Sequence, residues 1–384
     1  MLYALAASWM GMASSAGAVH GQVLMLNTYL GTAATLVGFL VMPFISNLLD
    51  ASGRRPAILL SLLVTGTIRV LVAANPSLPM YTLYRSVVPQ SQFTSDKAIA
   101  AALSDMYGRG TTERNRRDVF GRRFEALCFV SGALLGPRFP QPRMAMAISG
   151  LLQLVNVAMV YKYVPETLVD RRKMDWSVRR LSPFSFIGTF RQSRSLVALA
   201  AWNFVRHLPR YYNVVPVYQR SRFQGSWGPT QESIQWTISQ GAQIMGTLVA
   251  MGTMQRLGFE GATRLDDWCN ALLCLTVAFA PRMEVFFLVP LFSIFQHGDR
   301  SVETCLQREA AKVNVGVGEL DAAKDRMEFI ADLCMPYVSM FLYIKFAERL
   351  PQAPFLAAIV IHVLAAEVMR PWATRRLSPA ALAA

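Results

Sequence analysis

Apolar stretches of about twenty residues, each cut off by a short polar burst, recur from one end of the chain to the other. A helix rises about 1.5 Å per residue and the hydrocarbon core of a bilayer is about 30 Å thick, so a stretch of this length predicts one membrane span. The pattern predicts spans at 2–25, 28–48, 56–74, 79–104, 120–138, 143–164, 195–217, 232–254, 265–281, 284–306, 327–347 and 353–370. The fourth and tenth are unusually polar and are placed by spacing and by the charge pattern. The first begins at Met1, is rich in Ala, Gly and Ser, and could be a truncated helix. The longest polar break, 165–194, leaves six spans on each side. The expected fold is an all-α polytopic membrane protein of about 12 transmembrane helices in two six-helix bundles. The bundles occupy 1–164 and 195–371, with a linker loop at 165–194 and a tail at 372–384.

Composition supports a bilayer as the surrounding. Of the 384 residues, 53% are hydrophobic and only 16% charged, whereas soluble domains carry about a quarter charged residues. The net charge of +14 raises nucleic acid as a partner, but its distribution argues against one. Most of the 38 Lys and Arg sit in alternate loops, as the positive-inside rule expects of cytosolic loops. This predicts an integral membrane protein with both termini in the cytosol. One stretch breaks the phase: "RHLPRYYNVVPVYQRSRF", after span seven, is basic on the side that should be poor. The five Cys lie on or beside apolar segments with no metal-ligand spacing and read as small core residues. No basic leader of a signal peptide precedes the first apolar run. Phosphate-loop, HExxH and Gly-x-Ser-x-Gly motifs are lacking, so no enzyme, metal or cofactor is expected.

The sharpest polar interruption is "SNLLDASGRRPAI". Gly53 supplies the backbone freedom of a tight turn, and Pro56 suits the first turn of the next helix. Asp50 is placed to cap a facing helix N-terminus or to pair with an Arg. Leu48, Asp50, Gly53, Arg54 and Arg55 resemble the signature between spans two and three of the major facilitator superfamily, with Ser46 where that pattern has Gly. Three further stretches resemble the family. "CFVSGALLGPRF" carries Gly132, Gly136 and Pro137 like a Gly-x-x-x-Gly-Pro motif associated with antiporters, followed here by Arg138-Phe139-Pro140. "LYRSVV" carries Arg85, followed by Val88-Pro89 where the family has Gln-Gly. "VPETL" carries Pro165-Glu166-Thr167, which commonly closes the first half. The resemblance implies two halves that rock about a central site. It implies an inner gate of Asp50, Gly53, Arg54, Arg55, Asp105 and Arg122, and close helix packing at Gly132, Gly136 and Pro137. In the second half, "MQRLGFEGATRL" is a faint copy of the gate loop, keeping Gly258, Arg256 and Arg264. "VGVGELDAAKDRMEFIADLCMP" fits the loop between spans ten and eleven.

Polar and charged residues inside apolar spans are costly and point to a solute or ion path. Span four offers Arg85, Gln92 and Asp96, with Gln90 and Lys97 nearby. Span seven offers Asn203, His207 and Tyr211 beside Trp202, Arg206 and Tyr212. Span eight offers Gln240 and Gln243, and span ten His297 and Glu303 in "FQHGDRSVET". His297 and Arg300 share a helix face, as do Asp299 and Glu303. Arg69, a lone charge in span three, reads as a paired packing residue or a transport residue, and His362 as a hydrogen-bonded packing residue. The expected function is secondary transport of a small organic solute by alternating access with proton-coupled export, resembling the drug and tetracycline-type branch. A facilitative or uptake carrier for a sugar or organic solute stays open, as does a transport-dead receptor or scaffold. The expected partners are the solute, protons and the lipid bilayer, and the expected state is a monomer.

Overall fold

The computed structural model describes residues 16–107, 141–168, 184–211, 213–223, 226–296, 298–315 and 317–377, with scattered positions between 117 and 139 and at 182. Every regular element among these residues is helical. The chain divides into two compact units, 1–125 with 135–183, and 126–134 with 184–384.

The first unit contains α1 (Ala16–Ser52), α2 (Arg54–Ala74), α3 (Leu78–Tyr107) and α4 (Pro142–Tyr163). α1 corrects an expectation. The chain does not turn between residues 25 and 28 but runs as one helix of 37 residues. The segment "LMLNTYLG" has no Gly or Pro before Gly31, and one Asn does not stop a helix. α1 ends where Gly53 adopts φ 106°, ψ 167°, a backbone that side-chain-bearing residues rarely take. α2 ends at Asn75 because Pro76 disfavours helix in the residue before it. α4 opens with Pro142 at its N-terminus, where the missing N–H has no intrahelical partner to lose.

α2 and α4 cross at two glycines. A Cβ on Gly150 would lie 2.9 Å from the Gly66 carbonyl oxygen, and one on Gly66 would lie 3.1 Å from the Gly150 carbonyl oxygen. Small residues let helix backbones approach this closely. Arg69 completes the contact by donating to Ser149 Oγ at 2.7 Å, so this lone charge is a packing residue. α1 and α3 meet where Gln90 Nε2 donates to the Ala34 carbonyl at 2.6 Å across Gly38.

The second unit contains α5 (Phe186–Phe190), α6 (Arg194–His207), α7 (Val215–Arg222) and α8 (Pro229–Phe279). It continues through two 3-10 segments, Met283–Phe287 and Val289–Phe295, to α9 (Gly298–Lys312) and α10 (Val317–Phe346). α11 (Ala353–Leu364) passes through a π turn, Ala365–Met369, into α12 (Arg370–Thr374). α8 is two helices joined at Gly258, whose φ is 65°, which separates the expected spans at 232–254 and 265–281. Three expectations are corrected. Span seven breaks after His207, because Pro209 has no N–H to continue the helix. Span ten is not one helix: 3-10 turns around Pro290 precede α9, which starts at Gly298. The stretch expected as a loop after span ten is instead mostly the first half of α10. The core of this unit gathers Leu199, Trp202, Phe259, Leu306 and Ala365, with Trp202 and Phe259 edge to face at 6.0 Å.

Among the described residues, five helical segments are long and apolar enough to cross a membrane: Leu24–Val41, Arg54–Ala74, Arg143–Tyr163, Ala322–Phe346 and Ala353–Thr374. Of the other expected spans, 195–217 is broken after His207 and α3 carries charge, while 2–25 and 120–138 lie largely outside the described residues.

Candidate functional site

Among the described residues, the two largest charged constellations lie one in each unit. In the first unit the turn into α2 is built around Glu166. Its carboxylate accepts from the backbone N–H of Arg54 at 3.0 Å and of Arg55 at 3.3 Å. It also accepts from the N–H groups of Thr167 and Leu168, both at 3.0 Å. A helix N-terminus carries unpaired N–H groups and a partial positive charge, and Glu166 meets both needs. A Cβ at Gly53 would run into this carboxylate, so the glycine serves close approach as well as φ. Arg54 Nε pairs with Asp105 Oδ2 at 3.2 Å, and Thr167 Oγ1 donates to the same oxygen at 3.4 Å. Arg55 donates to the Tyr161 carbonyl and lies over the Tyr161 ring, 5.1 Å from its centroid.

The structure therefore brings together Gly53, Arg54, Arg55 and Asp105 of the expected gate and adds Glu166. The Asp50 side chain and Arg122 lie outside the described residues, as do Gly136 and Pro137. The group capping α2 is Glu166. Gly132 is exposed, and no described atom lies within 4 Å of a Cβ built on it; much of the chain beside it lies outside the described residues. The close glycine contact lies at Gly66 and Gly150.

Burial alone pushes the Glu166 carboxyl up, but the four backbone N–H groups outweigh it and hold the group below the usual carboxylate range. A depressed folded-state pKa contributes stability that is present above the unfolded pKa and lost as pH falls through the folded one. Glu166→Gln should lower stability by about 1 kcal/mol at neutral pH, the scale of losing a helix cap. The difference in melting temperature between wild type and Glu166→Gln should shrink toward zero in acid. A difference that is constant with pH would remove the charge from the explanation.

In the second unit the constellation centres on Arg206, in the last turn of α6. Its Nε donates to Asp267 Oδ1 at 2.7 Å, its Nη2 pairs with Asp266, and its Nη1 lies 3.0 Å from Asp299 Oδ1. Asp266 and Asp267 are buried on the second segment of α8. Asn270 Nδ2 donates to Asp266 Oδ1 at 3.1 Å, and Gln296 Nε2 donates to Asn270 Oδ1 at 3.0 Å. His207 Nδ1 donates to the Asn203 carbonyl at 2.8 Å, while Nε2 faces Asp299 at 3.7 Å and Glu328 at 3.6 Å. Lys324 lies 3.8 Å from both Glu328 and Glu303, and Arg210 pairs with Asp332 at 2.5 Å. The result is a continuous chain of charges over α6, α8, α9 and α10. It borders a cavity of about 100 Å³ lined by Arg206, His207, Arg210, Tyr211, Asp267, Asn270, Asp299 and His362.

Of the expected solute residues, Asn203, His207, Tyr211 and Glu303 gather at or beside this network. The Asn203 side chain is buried. His297 lies outside the described residues. Gln240 is half-buried and Gln243 exposed on the first segment of α8, and neither lines the cavity. Arg85 is half-buried in the first unit beside Gly31, while Gln92 and Asp96 are exposed on α3. His362 is corrected from a hydrogen-bonded packing residue: its Nδ1 is buried without a hydrogen-bond partner at the cavity wall.

Sequence reading missed Asp266, Asp267, Glu328 and Asp332. Two signals were there. Asp266 and Asp267 are adjacent carboxylates at the mouth of an apolar run, and Lys324, Glu328 and Asp332 repeat every four residues on one helix face. The second-half copy of the gate loop also has a carboxylate partner. Glu367, near the end of the last span, accepts from Arg264 Nε at 2.9 Å, Arg264 Nη2 at 3.0 Å and Trp268 Nε1 at 2.9 Å. Glu166 stands at the end of the first half's last span, so each half sets a terminal Glu against its Gly-kinked loop.

Neither a scan against protein-family models nor a search of curated proteins finds a match. Solved structures do. The human organic anion transporter MFSD10 (TETRAN) superposes with a TM-score of 0.67 at 16% identity, over 96% of this chain and 88% of that one. The nucleoside transporter NupG gives 0.67 at 11% identity, over 98% and 94%. A D-xylose-proton symporter gives 0.65 at 15% identity, over 96% and 90%. The chain has the major facilitator fold. It is an all-α, multi-pass membrane architecture.

Proposed function

We propose that the chain is a secondary transporter that moves a small organic solute by alternating access, coupled to protons and working as an exporter. The observation that carries this reading is the Arg206 network. It ties α6, immediately before its break, to Asp266 and Asp267 on α8 and Asp299 on α9. Discontinuous helices with charges at the break are a common way for secondary transporters to hold solutes and ions near the midplane. The three structures of the same fold are named for an organic anion, nucleosides and D-xylose with a proton, which fits a small polar solute. In this reading Glu166, Gly53, Arg54, Arg55 and Asp105 form a cytosolic latch, both termini are cytosolic, and the working unit is a monomer.

A second reading, a transport-dead receptor or scaffold, draws on cavity size: about 100 Å³ against roughly 300–1,000 Å³ for a drug-sized site. Sealed proteoliposomes with an internal pH dye, challenged with labelled organic anions, nucleosides, pentoses and amines, separate the two. Transport predicts movement of at least one solute class with an accompanying pH change. Folded protein that moves none of the panel favours the second reading.

A further inference from the structure

Two atoms at the wall of the second unit's cavity lack partners in a complementary way. Asp267 is 1% exposed; Arg206 Nε fixes its Oδ1, and its Oδ2 is buried with no hydrogen-bond donor. His362, on α11, is 5% exposed, and its Nδ1 is likewise buried with no partner. Leaving a buried polar atom unpaired is costly, because its lost hydration is not replaced. Both atoms are acceptors when the carboxyl is ionised and the imidazole carries its hydrogen on Nε2. One added proton resolves both, since a protonated Oδ2 becomes a donor and Nδ1 accepts from it through cavity water. The volume of about 100 Å³ has room for about three waters at roughly 30 Å³ each.

We propose that Asp267 and His362 together form a reversible proton-binding site, with Asp267 Oδ2 carrying the proton and His362 Nδ1 accepting from it through water in the cavity that both line. This rests on the transport reading and names the atoms that hold the coupled proton. The step is simple in balance: water supplies a proton, an Oδ2–H bond forms, and the same bond breaks on release. The surrounding charges define what changes. Arg206 and His207 on α6, Arg210 after it, Asp299 on α9, and Arg370 on α12 face the carboxyl, with Asp266 next to it on α8. Lys324 and Glu328 on α10 act through His207. Neutralising Asp267 removes one of the three carboxylates holding Arg206, which leaves the guanidinium to Asp266 and Asp299. The tie between the broken end of α6 and α8 then loosens, and protonation is coupled to movement at the helix break.

Infrared difference spectroscopy of the full chain in proteoliposomes tests this without any solute. The probe is the carbonyl stretch of a protonated carboxyl, followed as pH is stepped. Wild type should show a pH-dependent band. Asp267→Asn should abolish it, His362→Gln should move its midpoint by about one pH unit, and Glu284→Gln, at an exposed carboxylate, should leave it unchanged. If Asp267→Asn fails to fold, isotope-labelled aspartate in wild type assigns the band to Asp, and the His362→Gln shift assigns it to this pair. Absence of the band, its survival in Asp267→Asn, or an unmoved midpoint in His362→Gln overturns the proposal. Solute flux in the same vesicles reads the transport function separately, so either idea can fail alone.

Discussion

Arg206→Gln is expected to destabilise the protein by about 3–5 kcal/mol, the cost of removing one partner from a buried charge group. Asp266 and Asp267 are 2% and 1% exposed, and Arg206 meets both together with Asp299. Without the guanidinium, two buried carboxylates at adjacent positions lose the cation that pairs with both. The charge alone does not rescue the site: Arg206→Lys keeps the cation but not the fork that reaches three carboxylates. Thermal unfolding of detergent-purified protein measures the loss. A double-mutant cycle identifies its cause. Arg206→Gln should cost less in an Asp267→Asn background, by about 1–3 kcal/mol of coupling, because one stranded charge has already gone. Additive effects would mean that Arg206 contributes through packing, for instance against the Trp202 ring 5.7 Å away.

Gly150→Ala is expected to cost about 1–3 kcal/mol, the range for forcing volume into a packed contact. The new Cβ would meet backbone on the facing helix, 2.9 Å from the Gly66 carbonyl oxygen and 3.0 Å from the Val70 nitrogen, and backbone does not rotate aside as a side chain does. α2 and α4 would have to separate, which strains the Arg69–Ser149 bond beside the crossing. Gly241→Ala, on the first segment of α8, is the matched control. It adds the same methyl group where no described atom lies within 4 Å, and should be neutral or slightly stabilising because Ala suits a helix better than Gly. Equal losses at the two sites would contradict the crossing as the cause.

The sequence was most legible where local rules act alone. The turn at Gly53 follows from a Gly between two helix formers, and the α2 stop follows from Asn75-Pro76. The apolar periods of α2 and α4 marked two spans directly. The breaks were harder. Pro209 and Pro290 were visible, yet the hydropathy around them ran on, so spans seven and ten read as continuous. Among site residues, Asp299 and Glu303 stood out because charge is rare in apolar surroundings. Their partners did not, since Asp267 and Lys324 are far from Arg206 and Glu303 in sequence and meet them only through the packing of α6, α8, α9 and α10. Glu166 was quoted as part of a motif, but its cap on α2 joins positions 112 residues apart.

On the transport reading, the Arg206 network moves solute and is more than a structural clamp. Asp299 separates the two, because its side chain is 58% exposed while still reaching Arg206 and His207. A partly exposed ion pair contributes about 0–1 kcal/mol to stability, so Asp299→Asn should fold and reconstitute like wild type. The measurement is solute flux per reconstituted molecule in sealed proteoliposomes, wild type against Asp299→Asn. The expected result is a fall of roughly tenfold or more, equivalent to about 1.4 kcal/mol, at unchanged melting temperature. Undiminished flux through Asp299→Asn would contradict it.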